Sequence, residues 1–324
     1  MTWDIDITAR LDSELARAAR LQPYVDFADP LASRRNFARS VKISRALRGS
    51  VPAGAGVGVE DRSFTTPGQE HPIPVRIYRP EGVREPAPVL VYFHGGAFVA
   101  GDLDTEHDRC LGLAVEAGCL VVSVAYRRPP EHPFPVPGED CYAAVCWVAD
   151  SAAGLGADAA RIAVGGSSAG GTLAAAVAMM CRDRSGPAPV LQMLLYPALD
   201  DRLDSASMRR YPRTAAWHRE DSVRMWHHYL AGNAEHRASP YAVPARCTDF
   251  SGLAPAYVLV AEVDALRDEG IDYAARMMEA GVSVELHHFA GAFHGFDAAV
   301  PHAGLTKRAL AEQSAALRRV FGQG

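Results

Sequence analysis

From about residue 55 onward, short apolar runs alternate with longer stretches of helical periodicity, and this alternation narrows the fold more than any other feature of the chain. The runs that read as strands are Val75–Tyr78, Val89–Phe93, Leu120–Tyr126, Ile162–Gly165, Leu191–Tyr196, Tyr257–Ala261 and Val282–His287. Runs as continuous as Leu120-Val121-Val122-Ser123-Val124-Ala125-Tyr126 suit strands covered on both faces, the condition of a parallel sheet. Helical patterns over Asp104–Glu116, Gly138–Ala149, Ala169–Cys181, Arg267–Glu279 and Gly304–Phe321 are long enough to serve as crossovers. The sequence therefore predicts an α/β fold with a mostly parallel sheet flanked by helices.

A chain of 324 residues can bury a large core as one domain, with or without a lid. A net charge of −5 supplies no basic surface for nucleic acid. The N-terminal residues carry no apolar signal segment, and no apolar run approaches the roughly 20 residues that cross a bilayer, so no membrane partner and a cytoplasmic location are expected. Six scattered cysteines without a Cys-x-x-Cys pair read as core thiols.

Two regions break the alternation. Residues 1–50 read as an amphipathic helix with Leu11, Leu15, Ala18 and Ala19, followed by a basic stretch with Arg34, Arg35, Arg39, Lys42, Arg45 and Arg48. Residues 200–238 are polar, with Trp217, Met225, Trp226 and Tyr229 at helical spacing. An insertion over the carboxyl ends of strands is where a lid belongs. The expected organisation is a cap from 1–50, a core from 51–199, a cap insertion from 200–238 and the rest of the core from 239–324. Trp217 and Trp226 are candidates for a substrate pocket, with plain core packing as the alternative.

The chemistry centres on Gly166-Ser167-Ser168-Ala169-Gly170, which follows the run Ile162–Gly165 and opens a helical stretch. A strand, a sharp turn and a helix force the central serine into a strained conformation, so small flanking residues are needed. The helix N-terminus behind it favours developing negative charge. Ser168 fits the pattern as nucleophile, whereas Ser167 has no glycine two residues later. A phosphate loop would need a Lys-Ser/Thr that is absent. Upstream, His94-Gly95-Gly96-Ala97 follows the run Val89–Phe93, and small residues there let backbone N–H groups approach an oxyanion. With the N–H of Ala169 they would form the hole.

These two motifs, with Tyr126-Arg127, Pro130-Glu131-His132-Pro133-Phe134-Pro135, Glu139-Asp140, Tyr196-Pro197 and Ser239-Pro240, resemble the hormone-sensitive-lipase (family IV) carboxylesterases over most of residues 60–322. The resemblance implies the α/β-hydrolase fold, an eight-stranded sheet with a helical cap, and hydrolysis of short- to medium-chain acyl esters. A homodimer through the last strand is also implied. Asp264, just past the run Tyr257–Ala261, sits in a family-like Asp-Ala-Leu-Arg-Asp-Glu segment, and His294 in a family-like Phe-His-Gly-Phe segment, matching the chain order nucleophile, acid, histidine. Asp200 or Asp201 is the rival acid, while Glu262, Asp268 and Glu269 suit capping, pairing or solvent. His94 suits orientation of the oxyanion loop. Ala97 departs from the family's third glycine, which leaves its access to positive φ open, and Ser167 departs from the usual acidic residue or threonine. The doublets His227-His228 and His287-His288 point to different faces and hold no metal, and this chemistry requires no cofactor. Other readings are a formamidase, lactone hydrolase or deacetylase using the same triad, and a non-catalytic binder of small molecules.

Overall fold

A computed structural model describes residues 5–21, 24–48, 56–65 and 71–322. Its strands are β1 (Val57–Phe64), β2 (Ile73–Pro80), β3 (Ala87–Phe93), β4 (Leu120–Val124), β5 (Ala157–Ser167), β6 (Leu191–Leu195), β7 (Ala256–Val263) and β8 (Val284–Phe293). They form one sheet in the order β1-β2-β4-β3-β5-β6-β7-β8, in which β1, β2 and β4 pair antiparallel and every pair from β4 to β8 is parallel. The core helices are α4 (His107–Ala117), α5 (Val136–Asp150), α6 (Ala152–Leu155), α7 (Ala169–Asp183), α11 (Arg267–Glu279), α12 (Phe296–Ala299) and α13 (Gly304–Val320). Ahead of the sheet lie α1 (Ile5–Arg10), α2 (Ser13–Ala19) and α3 (Pro30–Arg48). After β6 come α8 (Ala206–Arg210), α9 (Arg219–Leu230) and α10 (Ala234–Ala238).

The sheet is buried on both faces, which accounts for its continuous apolar runs. In β3, Val89, Val91 and Phe93 join Val145, Val148, Leu173 and Val177 of α5 and α7, while Leu90 and Tyr92 join Leu113, Ala114 and Leu317 of α4 and α13. Each such side chain contributes roughly 1.5–3 kcal/mol on burial, so the pleat alternation fixes which residues face which helix layer. The helix Arg267–Glu279 has the bounds its periodicity predicts.

The differences lie at edges. β1 was absent from the runs read as strands because six of its eight residues are exposed, and its order comes from its ladder with β2, from Val57↔Pro80 to Phe64↔Ile73. β8 runs on to Phe293 because its ladder with β7 extends to the pair Val263↔Phe293, although its first half exposes polar residues. β4 stops at Val124, short of the expected Tyr126.

The two regions outside the alternation touch each other. Tyr24 donates its hydroxyl to Asp221 of α9 at 2.8 Å, Arg224 pairs with Asp26 at 2.5 Å, and the Phe27 ring lies 5.5 Å from Trp217. Burial pushes the Asp221 carboxyl up to about 6. On α3, Arg34 donates to the Val99 carbonyl at 2.7 Å and forks onto Glu131 at 2.8 and 2.6 Å, tying that helix to the segment after β3 and to the proline-rich connection. The expected boundary at residues 50 and 51 lies outside the described residues, as do the side chains of Arg45 and Arg48.

Because β3, β5, β7 and β8 run parallel, their carboxyl ends gather on one side of the sheet, where a crevice forms between loops. Close approach there depends on glycine: a Cβ on Gly170 would overlap the carbonyls of Phe93 and His94. Gly170→Ala is expected to cost about 3 kcal/mol or more. Gly112→Ala, inside α4 with nothing within 4 Å of the added carbon, should instead raise stability by roughly 0.5–1 kcal/mol. Urea unfolding of the two variants checks both signs.

Candidate active site

Strand β5 ends at Ser167 and α7 begins at Ala169, so Ser168 alone makes the turn. Its backbone sits at φ 55° and ψ −117°, a conformation that costs an L-residue on the order of 1–3 kcal/mol and that only a rigid surround can hold. The surround includes a bond from the Ser168 N–H to the Leu195 carbonyl at 2.8 Å.

His294, just past β8, places Nε2 3.0 Å from Ser168 Oγ and Nδ1 2.7 Å from Asp264 Oδ2. Asp264, just past β7, accepts the Leu266 N–H on Oδ1 at 3.0 Å, and all three side chains are buried. This geometry suits an imidazole that donates Nδ1–H to the carboxylate and turns Nε2 to the serine hydroxyl as an acceptor, the tautomer that a general base requires. The other acids go elsewhere. Asp200 pairs with Arg202, Asp201 with Arg246 and Arg237, Glu262 with Arg10, and Asp268 with Arg267. Glu269 is buried, and its carboxyl, pushed well up by that burial, accepts the Leu199 N–H at 2.7 Å.

Gly95, Gly96 and Ala97 line the same cavity as Ser168. A Cβ on Gly95 would come within 2.9 Å of Ser167 Oγ and 3.6 Å of Ser168 Cβ, so only glycine lets this loop lie against the elbow. Ala97 adopts φ 55° and Phe98 φ 60°. The alanine takes the left-handed conformation that a third glycine would take freely, at a cost of roughly 1–2 kcal/mol. His94 donates from Nδ1 to the Gly95 carbonyl at 2.8 Å and stacks on Tyr126 at 4.2 Å, whose hydroxyl donates to the His94 carbonyl at 2.8 Å. Burial lowers the His94 pKa to about 3, so the ring is neutral at any physiological pH.

The cavity measures about 410 Å³. Val25, Phe27, Phe37 and Val41 reach it from the N-terminal region and Trp217 from the segment before α9, with Trp217 5.5 Å from the His294 ring. Trp226 corrects the pairing expected from the sequence: it is not among the cavity's lining residues and packs in the core, 5.9 Å from Phe98 and 6.1 Å from Tyr229. Trp217 precedes α9 and Trp226 lies within it, so the two do not share a helix face. Sequence reasoning also missed Glu106, Arg109, Tyr196 and Asp297, which form a buried cluster against the elbow. The available signal was Arg109, a charge heading the apolar run Cys110-Leu111-Gly112-Leu113-Ala114 that a buried helix face tolerates only with partners.

Among the described residues no group of three or more His, Cys, Asp or Glu could hold a metal ion, and no helix is long and apolar enough to cross a membrane. His228 Nε2 contacts the Phe27 carbonyl at 3.2 Å, while its ring and that of His227 stand at 66°.

Residues 90–298 match the family described as the α/β-hydrolase fold. The chain belongs to that family. The hydrolase is 42% identical over 247 residues to esterase LipI of Mycobacterium tuberculosis, a match spanning 75% of each chain. It is also 42% identical to carboxylesterase NlhH of the same organism over 226 residues, covering 69% of this chain and 71% of that one. Among solved structures, a bacterial heroin esterase superposes with a TM-score of 0.91 at 39% identity, covering 97% of this hydrolase and 99% of that chain. The resemblance to hormone-sensitive-lipase carboxylesterases agrees with these relatives.

The two tryptophans should respond differently to truncation. Trp226→Ala is expected to lower stability by about 3–5 kcal/mol, and Trp217→Ala to cost less stability while changing KM across a series of ester substrates. Thermal unfolding and steady-state kinetics on both variants separate the roles.

Proposed function

We propose that this carboxylic ester hydrolase works through an acyl-serine intermediate on Ser168, with His294 as general base and acid and Asp264 as the residue that orients it. The observation that carries the reading is the pair of hydrogen bonds Ser168–His294–Asp264 at the wall of the cavity. Ser168 Oγ attacks the ester carbonyl as its proton passes to His294 Nε2, and the tetrahedral oxyanion forms beside the N–H groups of the Gly95–Ala97 loop and Ala169. His294 returns the proton to the departing alkoxide. Water, deprotonated by the same nitrogen, then attacks the acyl-serine, and the carboxylic acid leaves as the proton returns to Ser168.

The strained elbow supports this assignment, because the cost of φ 55° at Ser168 is met where a nucleophile must face the cavity. His94, neutral and bonded to its own loop, serves as the orienter of the oxyanion loop rather than as a proton carrier. The cap belongs to the same proposal: the segments within 1–50 and 200–238 roof the cavity through Phe27, Phe37 and Trp217. An enclosure of about 410 Å³ suits short- to medium-chain acyl groups. A homodimer would add its partner along β8, the sheet's outer strand.

A fluorophosphonate probe should label the chain, and Ser168→Ala should abolish labelling. Label that persists in that variant, or that is found on Ser167, removes Ser168 from the nucleophile's place. p-Nitrophenyl esters from acetate to decanoate should be turned over with higher kcat/KM for the short and medium chains. Faster turnover of N-formyl amides or lactones would move the activity to the amidase or lactonase class while keeping the triad.

Asp264→Asn should reduce kcat by about 10³–10⁴, with KM little changed, because the amide favours the wrong imidazole tautomer. Retention of kcat within about tenfold would point to a different acid.

A further inference from the structure

Ser167 precedes the nucleophile, is only 2% exposed, and takes no part in the relay. Its hydroxyl donates to Glu106 Oε1 at 2.6 Å. The other carboxylate oxygen of Glu106 accepts Arg109 Nε at 2.8 Å, and Arg109 forks onto Asp297 at 2.8 and 3.0 Å. Asp297 also accepts the Tyr196 hydroxyl at 2.8 Å and the Gln313 amide at 3.3 Å. All of these side chains are buried or nearly so. Burial opposes the charge on Asp297, yet Arg109 and its other donors keep that carboxyl below the usual range.

The placement of the cluster matters more than its size. Glu106 ends the segment that begins with the oxyanion loop and sits at the N-cap position of α4, with its side chain turned to Ser167 and Arg109 instead of capping the helix. Ser167 adjoins the nucleophile, and its Oγ lies where an added Cβ on Gly95 would meet it at 2.9 Å. Tyr196 directly follows β6 with its ring 4.9 Å from His294, and Asp297 lies in α12, on the turn directly after His294. One chain of charged hydrogen bonds thus joins the oxyanion loop, the elbow and the histidine loop. Buried ion pairs add little net stability over apolar packing, but a fully satisfied network holds its members in one geometry. The sequence departure at position 167 takes on meaning here: the carboxylate comes from Glu106, across the contact, and the residue on the elbow is its donor.

We propose that Glu106 is a positioning residue for the nucleophile: its bond from Ser167 sets Ser168 against the oxyanion loop, and Arg109 and Asp297 carry the same register to His294. The proposal rests on Ser168 being the nucleophile. Displacing a nucleophile by an ångström can cost on the order of 100-fold in rate without weakening substrate binding. Loss of the Ser167–Glu106 bond therefore acts on kcat.

The test is steady-state ester hydrolysis and the rate of fluorophosphonate labelling for Ser167→Ala, Glu106→Gln, Ser167→Asp and the double variant Ser167→Asp/Glu106→Gln. Ser167→Ala should lower kcat about 10- to 100-fold, leave KM within about threefold and slow labelling in step. Ser167→Asp, which sets two carboxylates face to face, should lose more. The double variant should recover to within about tenfold of the original kcat, because the glutamine amide donates to the new carboxylate while its oxygen still accepts from Arg109. A fall in melting temperature with kcat unchanged overturns the proposal, as does a loss confined to KM or a double variant no better than the product of its singles. Should Ser167→Asp fail to fold, the kinetics of Ser167→Ala decide alone. Failure of the nucleophile assignment reads out separately, in the labelling of the unaltered chain and of Ser168→Ala.

Discussion

A single residue turns strand β5 into helix α7, and the rest of the site is arranged around holding it there. Ser168 occupies a backbone conformation that a free chain would abandon. It persists because its N–H is bonded to Leu195 of the neighbouring strand and because the turn is packed backbone against backbone, with Gly166 and Gly170 where any Cβ would collide. The strain is local, but the forces that hold it come from β3, β6 and the first turn of α7 together. The buried sheet is thus a precondition of the Ser168 geometry as well as of stability.

Polar chemistry in this interior follows one rule, that a buried charge is tolerated only when its partners are complete. Asp264 meets His294 and a backbone N–H, whereas Glu269, with the Leu199 N–H as its donor, has its carboxyl pushed well up by burial, which favours the neutral form. Arg109 meets Glu106, Asp297, Tyr196 and Gln313. Because each set draws members from several loops, satisfying the charges also aligns the loops. His94 shows the neutral version of the device: burial keeps the ring uncharged, and one donated hydrogen bond with one stacked ring orients the strand-end loop.

The two segments outside the strand–helix alternation are joined by contacts of several kinds. They meet through Tyr24 and Asp221, Arg224 and Asp26, and Phe27 against Trp217, and α3 is fastened to the core by Arg34. Of these contacts Arg224–Asp26 is a partly exposed ion pair, which contributes no more than about 1 kcal/mol.

Much of this was legible in the amino-acid sequence, because local rules carry it. Continuous apolar runs announced a sheet covered on both faces, and glycines around Ser168 and after Phe93 marked places where backbones must nearly touch. The order of Ser168, Asp264 and His294 along the chain, each just beyond a strand, followed from where parallel strands end. Tertiary structure alone decided the rest. β1 has no apolar pattern and exists only through pairing with β2. Trp217 faces the cavity and Trp226 does not, since side-chain direction in the 200–238 segment depends on packing between segments far apart in the chain. The partner of Ser167 is a glutamate 61 positions upstream, a contact that no local periodicity encodes, because the strain, charge and register it resolves arise only once the loops have been brought together.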